Sequence, residues 1–250
     1  MRQPFLIFAD GDSLAAGLAI LRAASRDPSV SHITVLSRRP LPPHAAEFSK
    51  SKTEVILHQN FTEYPTTLTE KLKDHDAVIW ALGASQNGMD VEAYTKLTHD
   101  FPVAAITALT DAGTGSPEKP LRFLYVSGQG ADRSGKGWAL FSKVKGRTEK
   151  DLVDYAAAHP SVIAQNIRPG YFFPSDPDDV ATTRSKGKAV ADKYVFSFLT
   201  NHVSSLAITV DDLAKFAVGC VKGEFGTDDL YENGRMRQLL KKQKKSASEL

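Results

Sequence analysis

The chain has 250 residues, of which 42% are hydrophobic and 24% charged, and its formal net charge is +2. That is the balance of an ordinary globule, long enough to bury a full core as one domain, and it gives no ground for a nucleic-acid or acidic-membrane partner. One cysteine, Cys220, excludes an internal disulfide framework and fits a reducing, cytoplasmic setting, and no stretch approaches the length of a membrane helix.

Residues 5–9 form a short apolar run bounded by Pro4 and Asp10. They read as a buried strand rather than a signal peptide, followed by a helix over 15–24. A second strand is expected over 33–37, ending at Arg38-Arg39-Pro40, a weaker third over 55–58 and a fourth over 77–81. A loop through Gly83 and Gly88 then leads into one long helix over 91–109. A fifth strand (123–126) closes on Ser127-Gly128-Gln129-Gly130, a helix follows over 142–158, and a sixth strand over 162–167.

Apolar strands alternating with helices indicate a parallel sheet covered on both faces, a doubly wound, Rossmann-like α/β fold. The pattern loosens after Arg168-Pro169-Gly170. Residues 174–179 read as a loop, and 187–205 as part of a substrate cap, although the aromatic run 194–198 also reads as core. Thr209 is placed to cap a helix over 213–221, in which Cys220 packs. Turn-rich stretches at 40–44 and 113–120 read as surface connections, and Lys241-Lys242-Gln243-Lys244-Lys245 as a solvated, frayed tail. The organisation is one domain: a core over 1–168, with 169–250 as its C-terminal cap region and basic tail.

Several short stretches carry a resemblance by their order and spacing. They are the first strand and turn, Val35-Leu36-Ser37-Arg38-Arg39-Pro40, Val78-Ile79-Trp80-Ala81-Leu82-Gly83, Tyr125-Val126-Ser127-Gly128-Gln129-Gly130-Ala131, Lys143-Val144-Lys145-Gly146 and Ile167-Arg168-Pro169-Gly170-Tyr171. Together they resemble the short-chain dehydrogenase/reductase superfamily, most of all its atypical, sugar-nucleotide-epimerase-like branch. The resemblance implies that Arg38 and Arg39 stand where basic residues hold the 2′-phosphate of NADP, a task for which the arginine fork is suited. The alternative is two solvated arginines. It places Gly83 beside adenine and ribose, where a plain tight turn explains it equally. It also matches Ser127 to the serine that binds the substrate oxygen and Lys145 to the family lysine.

The departures are specific. Against a Gly-x-x-Gly-x-x-Gly turn, the glycine positions read Ala9, Asp12 and Ala15, which would put methyls where a backbone must approach a pyrophosphate. Asp12, and Asp10 with it, would repel the phosphates by about 3 kcal/mol each at about 5 Å and an effective dielectric of about 20, or about two decades of affinity. Asp12 acting as a helix cap is the alternative reading. Gly11 and Gly17 form a displaced glycine pair that would keep a distorted cofactor loop. Where the family has Tyr-x-x-x-Lys, this chain has Phe141-Ser142-Lys143-Val144-Lys145, and Phe141 has no proton to give.

The remaining cleft inventory is Asp10, Asp12, Ser127, Gln129, Trp138, Lys143, Lys145 and Tyr171. Tyr171 is the best placed of three possible replacement acids, with Tyr125 and Tyr155, although packing with Phe172 and Phe173 explains it too. This set suits acid–base and oxyanion chemistry on a small, uncharged molecule, and the resemblance implies a place in secondary metabolism. The leading expectation is a redox-neutral isomerase, lyase or cyclase that uses no cofactor. The alternatives are an NADP(H)-dependent oxidoreductase with a substituted acid, and a non-catalytic nucleotide- or partner-binding protein. The histidines lack metal spacing, with His32, His58, His75, His99 and His159 placed near surface connections, and no metal is expected. Relatives pair through helices around the lysine-bearing segment, so a homodimer is compatible.

Overall fold

Each apolar run of strand length becomes a parallel strand, and the helices between them cover both faces. The computed structural model describes residues 3–9, 14–49, 51–183, 187, 192, 194–196 and 206–248. The strands are β1 (Gln3–Phe8), β2 (Val30–Ser37), β3 (Thr53–Leu57), β4 (Ala77–Trp80), β5 (Leu121–Val126), β6 (Val162–Arg168) and β7 (Leu230–Glu232). All pairings are parallel, in the order β3-β2-β1-β4-β5-β6-β7. The order reverses at β1 and β4, and the carboxyl ends of the strands at such a reversal are the usual ligand position in these sheets.

Successive strand side chains alternate between two cores. Phe5, Ile7, Val35, Ile79 and Leu124 face α1 (Leu14–Arg26) and α8 (Val210–Val221). Leu6, Phe8, Val78, Trp80 and Phe123 face the opposite layer. That layer is built from α3 (Thr66–Leu72), α4 (Val91–Thr95), α5 (Phe101–Asp111) and α6 (Leu140–Ala158). The doubly wound sheet expected from the sequence is the one formed.

Several local expectations change. The long helix over 91–109 is interrupted by a π-helical turn, Lys96–Asp100. Pro102 supplies the reason: it has no N–H for the carbonyl four residues back and its ring crowds that group. That carbonyl, on Thr98, accepts from the Tyr125 hydroxyl (3.2 Å) and from Thr148 Oγ1 (3.1 Å). The turn-rich stretch 40–44 runs into α2 (Pro43–Ser49), and the expected loop at 174–179 contains the start of α7 (Pro177–Thr183).

In α7, Asp179 is buried and accepts from Arg22 (2.8 Å) and His44 (2.8 Å), which fastens the segment after β6 to α1 and α2. Residues 233–248, whose end was expected to fray, form α9 (Asn233–Ser248), held by buried Met236 and Leu240. His75 and His99 are buried rather than superficial. His75 contacts the Leu72 carbonyl and Thr34, and His99 sits between Asp100 and Asp151. Tyr194 and Val195 are exposed, which removes them from the core; Phe196 lies 6.4 Å from the Tyr171 ring, and residues 197 and 198 lie outside the described residues. Cys220 is buried in α8 as expected, and burial raises its thiol to about 12. Thr209 caps α8 through Asp212 N–H (3.0 Å).

Candidate active site

The carboxyl end of β5 and the amino half of α6 meet because glycine lets them. At Gly146 a Cβ would lie 2.0 Å from the Asp132 carbonyl oxygen, so only glycine allows the loop after β5 to press on α6. The first turn of α6 has Ala139 as its N-cap, with no side-chain oxygen to offer. Gln86, from the loop after β4, supplies the acceptor instead, taking the Phe141 N–H at 2.9 Å.

Phe141, Lys145 and Glu149 are spaced one helical turn apart and share a face of α6. The Phe141 ring lies against Gly130, where a Cβ would come within 3.3 Å of it. Lys145 donates from Nζ to the Ser127 carbonyl (3.0 Å) and lies 5.8 Å from the centre of the Tyr125 ring. Burial pushes the Lys145 amine down to about 8, against the opposing pull of the Glu149 charge. The Tyr125 phenol is driven well above its ordinary value, first by burial.

Ser127 is committed on both sides. Its carbonyl receives Lys145, and its hydroxyl donates to Glu149 Oε1 at 2.5 Å. Glu149 has no solvent exposure. Arg168 approaches both of its oxygens (2.9 and 2.7 Å), and Arg133 Nε approaches Oε2 (3.0 Å). A buried carboxylate is tolerable only with such pairing. The two arginines continue outward, Arg168 to Glu232 (2.8 Å) and Arg133 to Asp229 (2.6 Å).

Of the residues proposed from sequence, Ser127 and Lys145 are therefore brought together. Lys143, two residues earlier on α6, is exposed and falls on a different face. Tyr171 is half-buried, with its backbone bonded to Leu206 (2.7 Å) and Ile208 (3.0 Å). Arg38 and Arg39 follow β2, half-buried and exposed respectively, and Gly83 lies half-buried in the loop after β4. Asp10, Gly11 and Asp12 lie outside the described residues. Gln129 and Trp138 are exposed.

The Ala9 methyl, read from sequence as facing a pyrophosphate, packs instead toward Gly17. Ala9 and Ala15 are both buried, and a Cβ at Gly17 would sit 2.6 Å from that of Ala9. Close packing of the first helix on the first strand is one of the tasks of a fingerprint glycine, and Gly17 performs it here. The sequence reading missed Glu149, Arg133, Arg168 and Gln86 as parts of the site. The four-residue spacing of Lys145 and Glu149 on an expected helix was a usable signal for the first of these.

Among the described residues no group of three or more His, Cys, Asp or Glu is placed to hold a metal ion, and no helix is long and apolar enough to cross a membrane. No protein-family model matches the chain. The fold is that of short-chain dehydrogenases/reductases. The FabI–NADH complex from Alistipes finegoldii superposes with a TM-score of 0.65 at 13% identity, over 93% of this chain and 87% of that one. A short-chain dehydrogenase/reductase from Mycobacterium ulcerans gives 0.64 at 13% identity, over 94% and 90%. In sequence, the chain is 30% identical over 146 residues to the leucinostatins biosynthesis cluster protein T of Purpureocillium lilacinum. That match takes in 58% of this chain and spans only half the length of that protein.

Proposed function

We propose that this protein is an enzyme catalysing a redox-neutral proton transfer, an isomerisation, elimination or ring closure, on a small organic substrate, with the Lys145 amine as acid and base. The observation that carries this reading is that Lys145 lies one turn beyond a phenylalanine and bonds the carbonyl of a serine whose hydroxyl is already given to Glu149. An amine lowered to about 8 is part neutral and part protonated in mildly alkaline solution. It is therefore able to take a proton from a carbon acid or phenol and return it elsewhere, a role worth about 10²–10⁴-fold in rate. The Tyr125 ring beneath it favours the ammonium that forms. The likeness to a biosynthesis-cluster protein supports a secondary-metabolite substrate.

A nicotinamide group fits this site poorly as a hydride carrier, because carbonyl reduction needs a proton donor where Phe141 stands and a free hydroxyl where Ser127 is engaged. No step is assigned to it. A second reading, an NADP(H)-dependent oxidoreductase, is favoured by one observation: Gly17 keeps the tight helix-on-strand packing of a dinucleotide seat.

A calorimetric titration with NADPH and NADP separates the two, together with the nucleotide content of denatured purified protein. Neither nucleotide is expected to bind more tightly than roughly 100 μM, an affinity of about 5.5 kcal/mol, and the extract is expected to contain none. Micromolar binding would replace the redox-neutral reading with the second.

A further inference from the structure

The end of β6 and the loop after β5 converge on Glu149, one turn beyond Lys145. Ser127 receives the Lys145 ammonium on its carbonyl and passes its hydroxyl to Glu149. Glu149 lies one turn beyond Lys145 on the same face of α6. Arg168, from the end of β6, and Arg133, from the loop after β5, grip the carboxylate from the other side. Among the described residues the charged groups around this point are Glu149 on the lysine's own helix, the two guanidiniums it holds, and beyond them Glu232 on Arg168 and Asp229 on Arg133. Tyr125 approaches from β5, and Tyr94 of α4 lies near Tyr125. The amine's own environment contains two opposing influences, burial and the Glu149 carboxylate, in that order of size.

We propose that Glu149 is a positioning residue that governs the proton on Lys145, with Arg133 and Arg168 setting how much of its charge the lysine feels. The inference takes Lys145 as the working group, and so rests on the reaction proposed above. Removing the carboxylate takes away the negative charge that favours the ammonium and leaves the two guanidiniums that held it uncompensated, so the neutral amine gains. Removing one guanidinium leaves the carboxylate less compensated, which favours the ammonium. A purely structural role for the cluster predicts no such reversal of sign.

The test is site-resolved competitive acetylation of Lys145 with acetic anhydride, read by peptide mass spectrometry from about pH 6 to about pH 10. In Glu149→Gln the labelling midpoint is expected to fall by about 0.5–1 pH unit, a three- to tenfold faster reaction on the acid side. In Arg133→Gln it is expected to rise by about 0.3 pH unit. Arg133 sits at the rim of the cluster with a partly exposed side chain, so this variant carries the test by its upward shift if Glu149→Gln does not fold. Midpoints that stay in place, or that move the same way in both variants, overturn the proposal. The labelling needs neither substrate nor nucleotide. Tight NADPH binding would thus remove the proposed reaction and leave this result standing, and a null labelling result would leave the titration standing.

Discussion

Gly17 and Ala9 share a contact that decides how close α1 comes to the sheet. A methyl at Gly17 would meet the Ala9 methyl at 2.6 Å, and neither atom is the end of a flexible chain. Gly17→Ala gains about 1 kcal/mol in helix propensity. It incurs an overpacking cost of about 1–3 kcal/mol at a buried site, so the net effect is destabilising. Ala9→Gly removes the opposing methyl. The double variant is expected to recover most of the loss, a coupling of about 1–2 kcal/mol in a urea-denaturation cycle. Additive effects within about 0.3 kcal/mol would show that the two methyls do not compete. The same pair marks a limit of the sequence. Counting glycines by spacing set the Ala9 methyl in a phosphate's way, because spacing does not say that it packs toward Gly17.

The strands and long helices were legible in the chain because burial on both faces writes itself as unbroken apolar runs such as Ala77–Trp80. The short helix α7 was not, because its packing is ionic: Asp179 is buried only by virtue of Arg22 and His44, residues more than 130 positions away. The interruption of the 91–109 helix was signalled by Pro102, which periodicity alone overrode. Within the site, Phe141 and Lys145 were readable from their spacing. The occupation of Ser127 by Glu149 was not, since it needs β5 and α6 side by side. Gly146 makes that approach possible, and its replacement tests it. In Gly146→Ala the new methyl meets a backbone carbonyl at 2.0 Å, and the helix-propensity gain of about 1 kcal/mol is far too small to offset it. A loss of about 3 kcal/mol or more is expected by urea denaturation. A loss under about 1 kcal/mol would mean that the loop after β5 yields freely.

At the scale of the whole molecule, two distant segments close on the turn between α1 and β2. Lys222, at the end of α8, donates to Asp27 Oδ2 at 2.8 Å. Ser29 donates to Oδ1 from its N–H and its hydroxyl (2.8 and 2.6 Å), and Lys52 bonds the Asp27 carbonyl (2.6 Å). Burial alone would push the Asp27 carboxyl up, yet the hydrogen bonds from Lys222 and Ser29 outweigh it and hold the group below its ordinary value of 3.8. A carboxyl lowered in the folded state stabilises fully above its unfolded value. It loses that contribution as the pH falls through the folded value. Asp27→Asn is therefore expected to be less stable than the parent at neutral pH, by no more than about 1 kcal/mol since the pair is partly solvated. The gap should hold down to about pH 5 and close on further acidification. Urea midpoints of the two proteins compared across that range carry the test: a gap that persists unchanged at the acid end would mean that Asp27 stabilises the turn by its shape and not by its charge.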